Sequence, residues 1–235
     1  MTELVRPFAA LRPTAASAAD VVAPPYDVVS TEEARVLAAG RPHSFLHISR
    51  PEIDLPEGSS PYSAEAYAQG ARSLERLVAE RVLVRDPEPS FYIYRMVMAG
   101  RTQTGVAFAA SVRAYEQNRI KRHELTRPDK ETDRVRNIEA LNAQTGPVLL
   151  AYRASDRLRE LLAVATNAAP LFSVSGPNDV VHTVWATAPA TDATLQAEID
   201  LPPGSSPYSD AAYERGAENL ARLRDGGVLV RDGEP

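Results

Sequence analysis

The sequence predicts an α+β fold, with a mixed or antiparallel sheet and flanking helices. Three observations carry that prediction. In "SFYIYRMVMAGRTQTGVAFAASVRAY" two β-rich runs flank Ala99-Gly100-Arg101, a β-hairpin pattern in which glycine suits the turn. Between about Ala64 and Glu80, Tyr67, Leu74, Leu77 and Val78 fall along one helical face. "TGPVLLAYR" and "DVVHTVWATA" are short apolar runs of strand length.

Taken in order, residues 1–30 are rich in proline and alanine and end in "VVAPPYDVVS". The paired prolines hold Ala23 and Pro24 extended, which predicts a loop bracketed by short strands. "STEEARVLAAG" predicts a helix: Ser30 or Thr31 caps it, Glu33 completes a capping box from Ser30, and Gly40 ends it. "HSFLHISR" alternates weakly and reads as a strand carrying His43 and His47, while "EIDLPEGSSPYS" reads as a turn-rich surface loop. An alanine- and leucine-rich helix is expected near 155–166.

Composition narrows the function classes. The chain of 235 residues is long enough for one large domain or two small ones. Its net charge of −5 makes nucleic acid an unfavoured partner. The absence of cysteine excludes disulfides, thiol catalysis and cysteine metal sites. No apolar run approaches the roughly 20 residues that cross a bilayer, and "MTELVRPFAALRP" lacks the apolar core of a signal peptide. A cytoplasmic protein without a membrane partner is expected, and nothing in the sequence specifies an oligomeric state.

Residues 52–89 and 198–235 align without a gap, with 25 of 38 positions identical. A repeat array needs at least three complete units. Here the second copy ends where the first would enter the strand "SFYIYRM". Two explanations stand: a partial duplication forming a C-terminal cap, or, as favoured here, a truncated or misjoined coding sequence. The expected organisation is an α+β domain over 1–190 followed by the partial repeat over 198–235.

The stretch with most chemical character is residues 118–147. Seven Lys/Arg and four Asp/Glu crowd into positions 119–136, together with His123. Thr126-Arg127-Pro128-Asp129 has the character of a helix start. A helix from Pro128 to about Leu141 would put Lys130, Asp133, Arg134 and Asn137 on one face and bury Ile138 and Leu141 beside Val135. Opposite charges pairing on a solvated helix is one reading of this segment. The other is an anion site, with Arg127 and Arg134 clamping a phosphate or carboxylate and the helix start adding backbone donors. His123 and Glu124 would then be acid/base candidates. No Walker-type loop, H-E-x-x-H or G-x-S-x-G accompanies the segment. His43 and His47 alone make a poor metal site, so no metal ligands are expected.

"VAPPYDVVS", "FLHISRPEIDLP", "FYIYRM", "QTGVAFAASV", "KRHELTRPDKETDR", "NAQTGPVLLAYR" and "VHTVW" follow one another in this order. Together they resemble an uncharacterised bacterial family, domain of unknown function 1015, over residues 3 to about 190. That family is itself similar to the ParB/sulfiredoxin-like fold, whose relatives include a free-serine kinase. The resemblance implies ATP or ADP with Mg as cofactor and phosphoryl transfer to a small hydroxylated metabolite. Tyr26, Asp27, His123, Glu124 and Arg127 would form the substrate side. Asp27 or Glu124 would accept the hydroxyl proton, and Arg127 would hold a carboxylate. Lys130 and Arg134 would add to substrate or phosphate binding.

One departure qualifies that implication. Family members are longer and carry a "YIADGHHR"-like phosphate-binding motif soon after the "HTVW" strand. Here "HTVWATAPATDATLQA" runs into the second copy of the repeat instead. The expectation is an N-terminal portion of an enzyme-like family with little or no kinase activity by itself. The alternative is a non-catalytic ligand- or nucleotide-binding module.

Overall fold

The computed structural model describes residues 3–121, 127–152 and 155–199. The chain is α+β, and every strand pairing among those residues is antiparallel.

Short strands β1 (Val5–Arg6) and β2 (Leu11–Pro13) open the chain, followed by the single turn α1 (Ala18–Val21). The Pro24-Pro25 stretch therefore runs from α1 into a 3-10 turn, Tyr26–Val28, and is not bracketed by strands. Ala18 and Val21, three apart, are both buried, a spacing that a helical turn satisfies and a strand does not. Helix α2 (Thr31–Ala38) starts with the expected capping box: Glu33 N donates to Ser30 Oγ at 3.2 Å, and Ser30 N donates to Glu33 Oε2 at 2.8 Å. Gly40 follows with φ +71°, a left-handed conformation that glycine adopts without strain.

"HSFLHISR" corrects the sequence reading. It forms the helical turn α3 (Leu46–Ser49), which leads into a 3-10 turn at Pro51–Asp54. Leu46 packs with Ala34 and Ala38 of α2, while Phe45 and Ile48 pack with Leu74 and Leu77. The i, i+3 pair faces one way and the residue between them faces another, so helical geometry serves two clusters at once. The long α4 (Ala64–Ala79) is capped by Ser63 Oγ, which accepts from Ala66 N at 3.1 Å, and β3 (Leu83–Arg85) pairs with β2. A side chain at Gly70 would bring its Cβ 3.1 Å from Ile48 O, so glycine lets α3 lie directly on α4.

The hairpin consists of β4 (Tyr92–Met98) and β5 (Arg101–Ala107), joined through Ala99 and Gly100. After it come β6 (Ala109–Ala110), which pairs with β1, and α5 (Val112–Glu116). The remaining elements are α6 (Pro128–Leu141), α7 (Asp156–Ala165), β7 (Phe172–Ser175), β8 (Val181–Ala186) and α8 (Pro189–Ile199). The main sheet has the order β5-β4-β8-β7.

"TGPVLLAYR" is a second correction: residues 145–152 form no strand, and Val148 and Leu149 are 76% and 79% exposed. Its apolar side chains have no sheet face to cover, because α7 and α8 already cover the inner face. Phe91, Ile93 and Trp185 meet Leu158, Leu162 and Leu195 there, with Val5 closing the cluster. On α6, Leu141 is buried as expected, whereas Val135 is exposed. A second core joins α1, α3, α4, β3 and α6 through Val21, Ile48, Leu74, Leu77, Leu83 and Leu141. Each such apolar side chain contributes about 1.5–3 kcal/mol on burial. Nearly all of the second copy of the repeat lies outside the described residues; its first two, Glu198 and Ile199, end α8.

Candidate functional site

Helix α6 brings its predicted face to a pocket of about 140 Å³ lined by Lys130, Asp133, Arg134 and Asn137. Opposite them lie Tyr26 and Asp27 from the first 3-10 turn, residues 49–52 after α3, and Tyr62 and Tyr67 around the start of α4. The i, i+3, i+4 face of α6 and the 3-10 turn that follows the proline pair therefore converge on one place.

The pocket is built on fixed charge pairs. Asp133 is buried; its Oδ1 accepts from the Tyr67 hydroxyl at 2.8 Å and its Oδ2 from Arg134 Nη2 at 2.6 Å. Burial, and then the bond to Asp133, push the Tyr67 hydroxyl up to about 12, so it stays a donor. The Arg134 guanidinium lies 4.0 Å from the Tyr26 ring centroid, a cation–π contact that holds the arginine plane across the pocket. Arg50 Nη1 donates to Tyr26 O at 3.2 Å and Arg50 Nη2 to Thr31 Oγ1 at 2.9 Å, tying the two 3-10 turns together. Asn137 is buried, and its Oδ1 accepts from Thr145 Oγ1 at 3.5 Å.

Two ionisable groups on the pocket lining have no opposite charge among the described residues. Lys130 Nζ lies 3.4 Å from the Tyr62 hydroxyl and 5.9 Å from its ring centroid, and meets no carboxylate. Asp27 is exposed and makes no hydrogen bond or ion pair to a described residue.

The anion clamp expected of Arg127 and Arg134 is not assembled here. Arg134 lines the pocket, whereas Arg127 is outside the lining and donates to its neighbour Asp129 at 3.1 and 2.8 Å. That bond, aided by the backbone amides of residues 129 and 130, holds the Asp129 carboxyl below its usual range. The start of α6 thus already has a carboxylate from its own chain. His123 and Glu124 lie outside the described residues. The histidine pair is also separated: His43 Nε2 is 3.4 Å from Glu80, and His47 Nδ1 is 2.9 Å from Asp54. Among the described residues no three His, Cys, Asp or Glu come together as metal ligands.

Sequence reasoning missed Ser49, Arg50, Glu52 and Tyr67 as pocket residues. A signal for two of them existed: Glu52 and Tyr67, like Pro61 and Tyr62, are identical in the second copy of the repeat. A wider groove of about 780 Å³ beside the pocket is lined by Ala64, Ala68, Ala71 and Ala140 with surface charges such as Arg72. It offers shape without convergent buried polar groups, so the smaller pocket is the candidate site.

The residues that line the pocket do not fit a nucleotide. None of them is glycine, so no backbone cradle approaches a phosphate chain, and Arg50 and Arg134 are already engaged by protein groups. Neither the curated proteins nor the solved structures contain a match to the chain. Residues 5–200 match the family described as Protein of unknown function (DUF1015), and the chain belongs to that family.

Proposed function

We propose that the pocket between α6, α4 and the two 3-10 turns recognises a small polar metabolite carrying groups of both charges. The observation that carries this reading is the pair of groups without opposite charges, Lys130 and Asp27, on one lining already shaped by the Arg134–Asp133 and Arg50 contacts. Lys130 would receive an anionic group and Asp27 a cationic or hydroxyl group. The volume of about 140 Å³ lies below the ~300 Å³ at which drug-sized ligand sites begin, which suits a compact ligand. A cytoplasmic metabolite pool is the setting this reading expects.

Catalysis is the second reading, favoured by the position of Asp27. An exposed carboxylate at a ligand pocket is placed to accept a proton from a substrate hydroxyl, as a relation of the family to the ParB-like fold of a free-serine kinase would imply. Since the lining does not fit a nucleotide, no phosphate-transfer step is assigned to these residues.

Calorimetric titration of small zwitterionic hydroxy-metabolites, beginning with L-serine, tests the first reading. Lys130→Ala should weaken binding about tenfold, the loss of one charge-assisted contact, while Arg127→Ala should leave it unchanged. Equal losses in both variants would move the site to the start of α6. A parallel incubation with ATP or ADP and magnesium should yield no phosphorylated product, and robust phosphoserine formation would overturn that expectation.

A further inference from the structure

Three residues of the pocket lining, Ser49, Arg50 and Glu52, hold a buried polar atom without a hydrogen-bond partner among the described residues. Glu52 is 1% exposed; its Oε1 accepts from Thr31 Oγ1 at 3.1 Å and lies 2.9 Å from Arg50 Nε, without hydrogen-bond geometry. Among the described residues the other oxygen, Oε2, has no hydrogen-bond partner, and neither does Ser49 Oγ on the same lining. Buried carboxylate oxygens are seldom left bare, because burial removes their water without replacing it. Of the neighbouring cations, Arg50 pairs with Oε1, and the Nε atoms of Arg50 and Arg35 lack hydrogen-bond partners among the described residues. The two terminal nitrogens of Arg50 donate to Tyr26 O and Thr31 Oγ1, and Arg35 Nη2 reaches the carbonyls of Leu55 and, at 3.4 Å, Glu52.

We propose that the missing donor is the protonated primary amine of the ligand, which makes Glu52 the residue that selects amine-bearing metabolites. This rests on the reading of the pocket as a metabolite site. A hydroxyl donates a single hydrogen bond. An ammonium donates three, enough for both Glu52 Oε2 and Ser49 Oγ, and its charge opposes that of the carboxylate. With Lys130 facing the anionic end, the class specified is a small amino acid or a similarly compact zwitterion.

Glycine and glycolate form a matched pair that differs only in amine against hydroxyl. Both are titrated by calorimetry into the full chain and into Glu52→Gln, which keeps an acceptor for Thr31 but presents an amide N–H to the amine. Glycine should bind the unmodified protein at least about tenfold more tightly than glycolate, and Glu52→Gln should erase that preference while circular dichroism shows the fold retained. Equal binding of the two ligands, or an unchanged preference in Glu52→Gln, overturns the amine assignment and leaves the pocket reading in place. Failure of glycine, glycolate and L-serine alike to bind removes both. If Glu52→Gln does not fold, Ser49→Ala takes its place: a reduced glycine preference supports the assignment and an unchanged one overturns it.

Discussion

Tyr67 is the residue on which two helices and the pocket wall depend together. It is buried on α4, and its hydroxyl donates to buried Asp133 of α6 at 2.8 Å. Tyr67→Phe removes the donor and leaves a carboxylate oxygen bare, so urea denaturation should report a loss of about 1–3 kcal/mol. A stability within a few tenths of the original would mean that water replaces the hydroxyl. His47 makes a prediction of the opposite kind, in pH. Both ring nitrogens face acceptors: Nδ1 is 2.9 Å from Asp54, and Nε2 is 3.1 Å from Arg41 O. The bond to Asp54 is the largest influence and raises the histidine above its usual value, against the opposing effect of burial. Because the folded pKa is the higher one, the stabilisation is complete below the unfolded value of about 6.5 and is lost as pH rises through the folded value. As pH rises above about 6.5, the thermal midpoint should therefore fall more steeply in the unmodified protein than in His47→Asn; parallel curves would show that the pair contributes nothing. At this scale the family resemblance pointed to Tyr26 and Asp27, and helical spacing put Lys130 and Arg134 on one face; all four line the pocket. Neither pointed to Arg50 or Glu52, whose roles arise from contacts with residues around 20 positions away, Tyr26 and Thr31.

Elements were legible where their ends are written in local chemistry. The capping box at Ser30 and Glu33 starts α2 as its spacing requires, and Ser30→Ala should lower stability by about 1 kcal/mol, measurable by denaturant titration. The β4–β5 hairpin turns at Ala99 and Gly100, with φ +49° and +75°. Both central residues are left-handed, as in a type I′ turn, which suits glycine and strains alanine. Ala99→Gly should accordingly stabilise the protein by about 1 kcal/mol, and a destabilisation would show that the turn relaxes in solution. The misread elements are those whose form is decided by distant packing. "HSFLHISR" has the alternation of a weak strand, but serving both α2 and α4 bends it into a helical turn. "TGPVLLAYR" has a strand's composition, yet the four places in the sheet go to other segments.

Among the described residues the buried apolar side chains form three clusters. The sheet with α7 and α8 forms the first, α1, α3, α4, β3 and α6 the second, and α2 with Leu46 of α3 a small third. The pocket sits on the second. The α+β class was readable because hairpin and helix periodicities are strong over their own lengths. The pocket was half readable: the α6 face and the Tyr26 turn were visible separately, but only the fold brings them to Glu52 and Tyr67. Repetition of Glu52 as Glu198 shows how little identity fixes environment. Glu52 sits buried in a 3-10 turn, whereas Glu198 lies at the end of α8, its Oε1 accepting from Ser155 Oγ at 2.6 Å. The decisive experiment is amide and side-chain NMR of the full chain during titration with L-serine and glycine. Saturable shifts centred on Tyr26, Glu52, Lys130, Arg134 and Asn137 are expected, and in Lys130→Ala they should need about tenfold more ligand. Shifts confined to the alanine-lined groove between α4 and α6, or no saturable shift with any of these ligands, would contradict the pocket as the site of function.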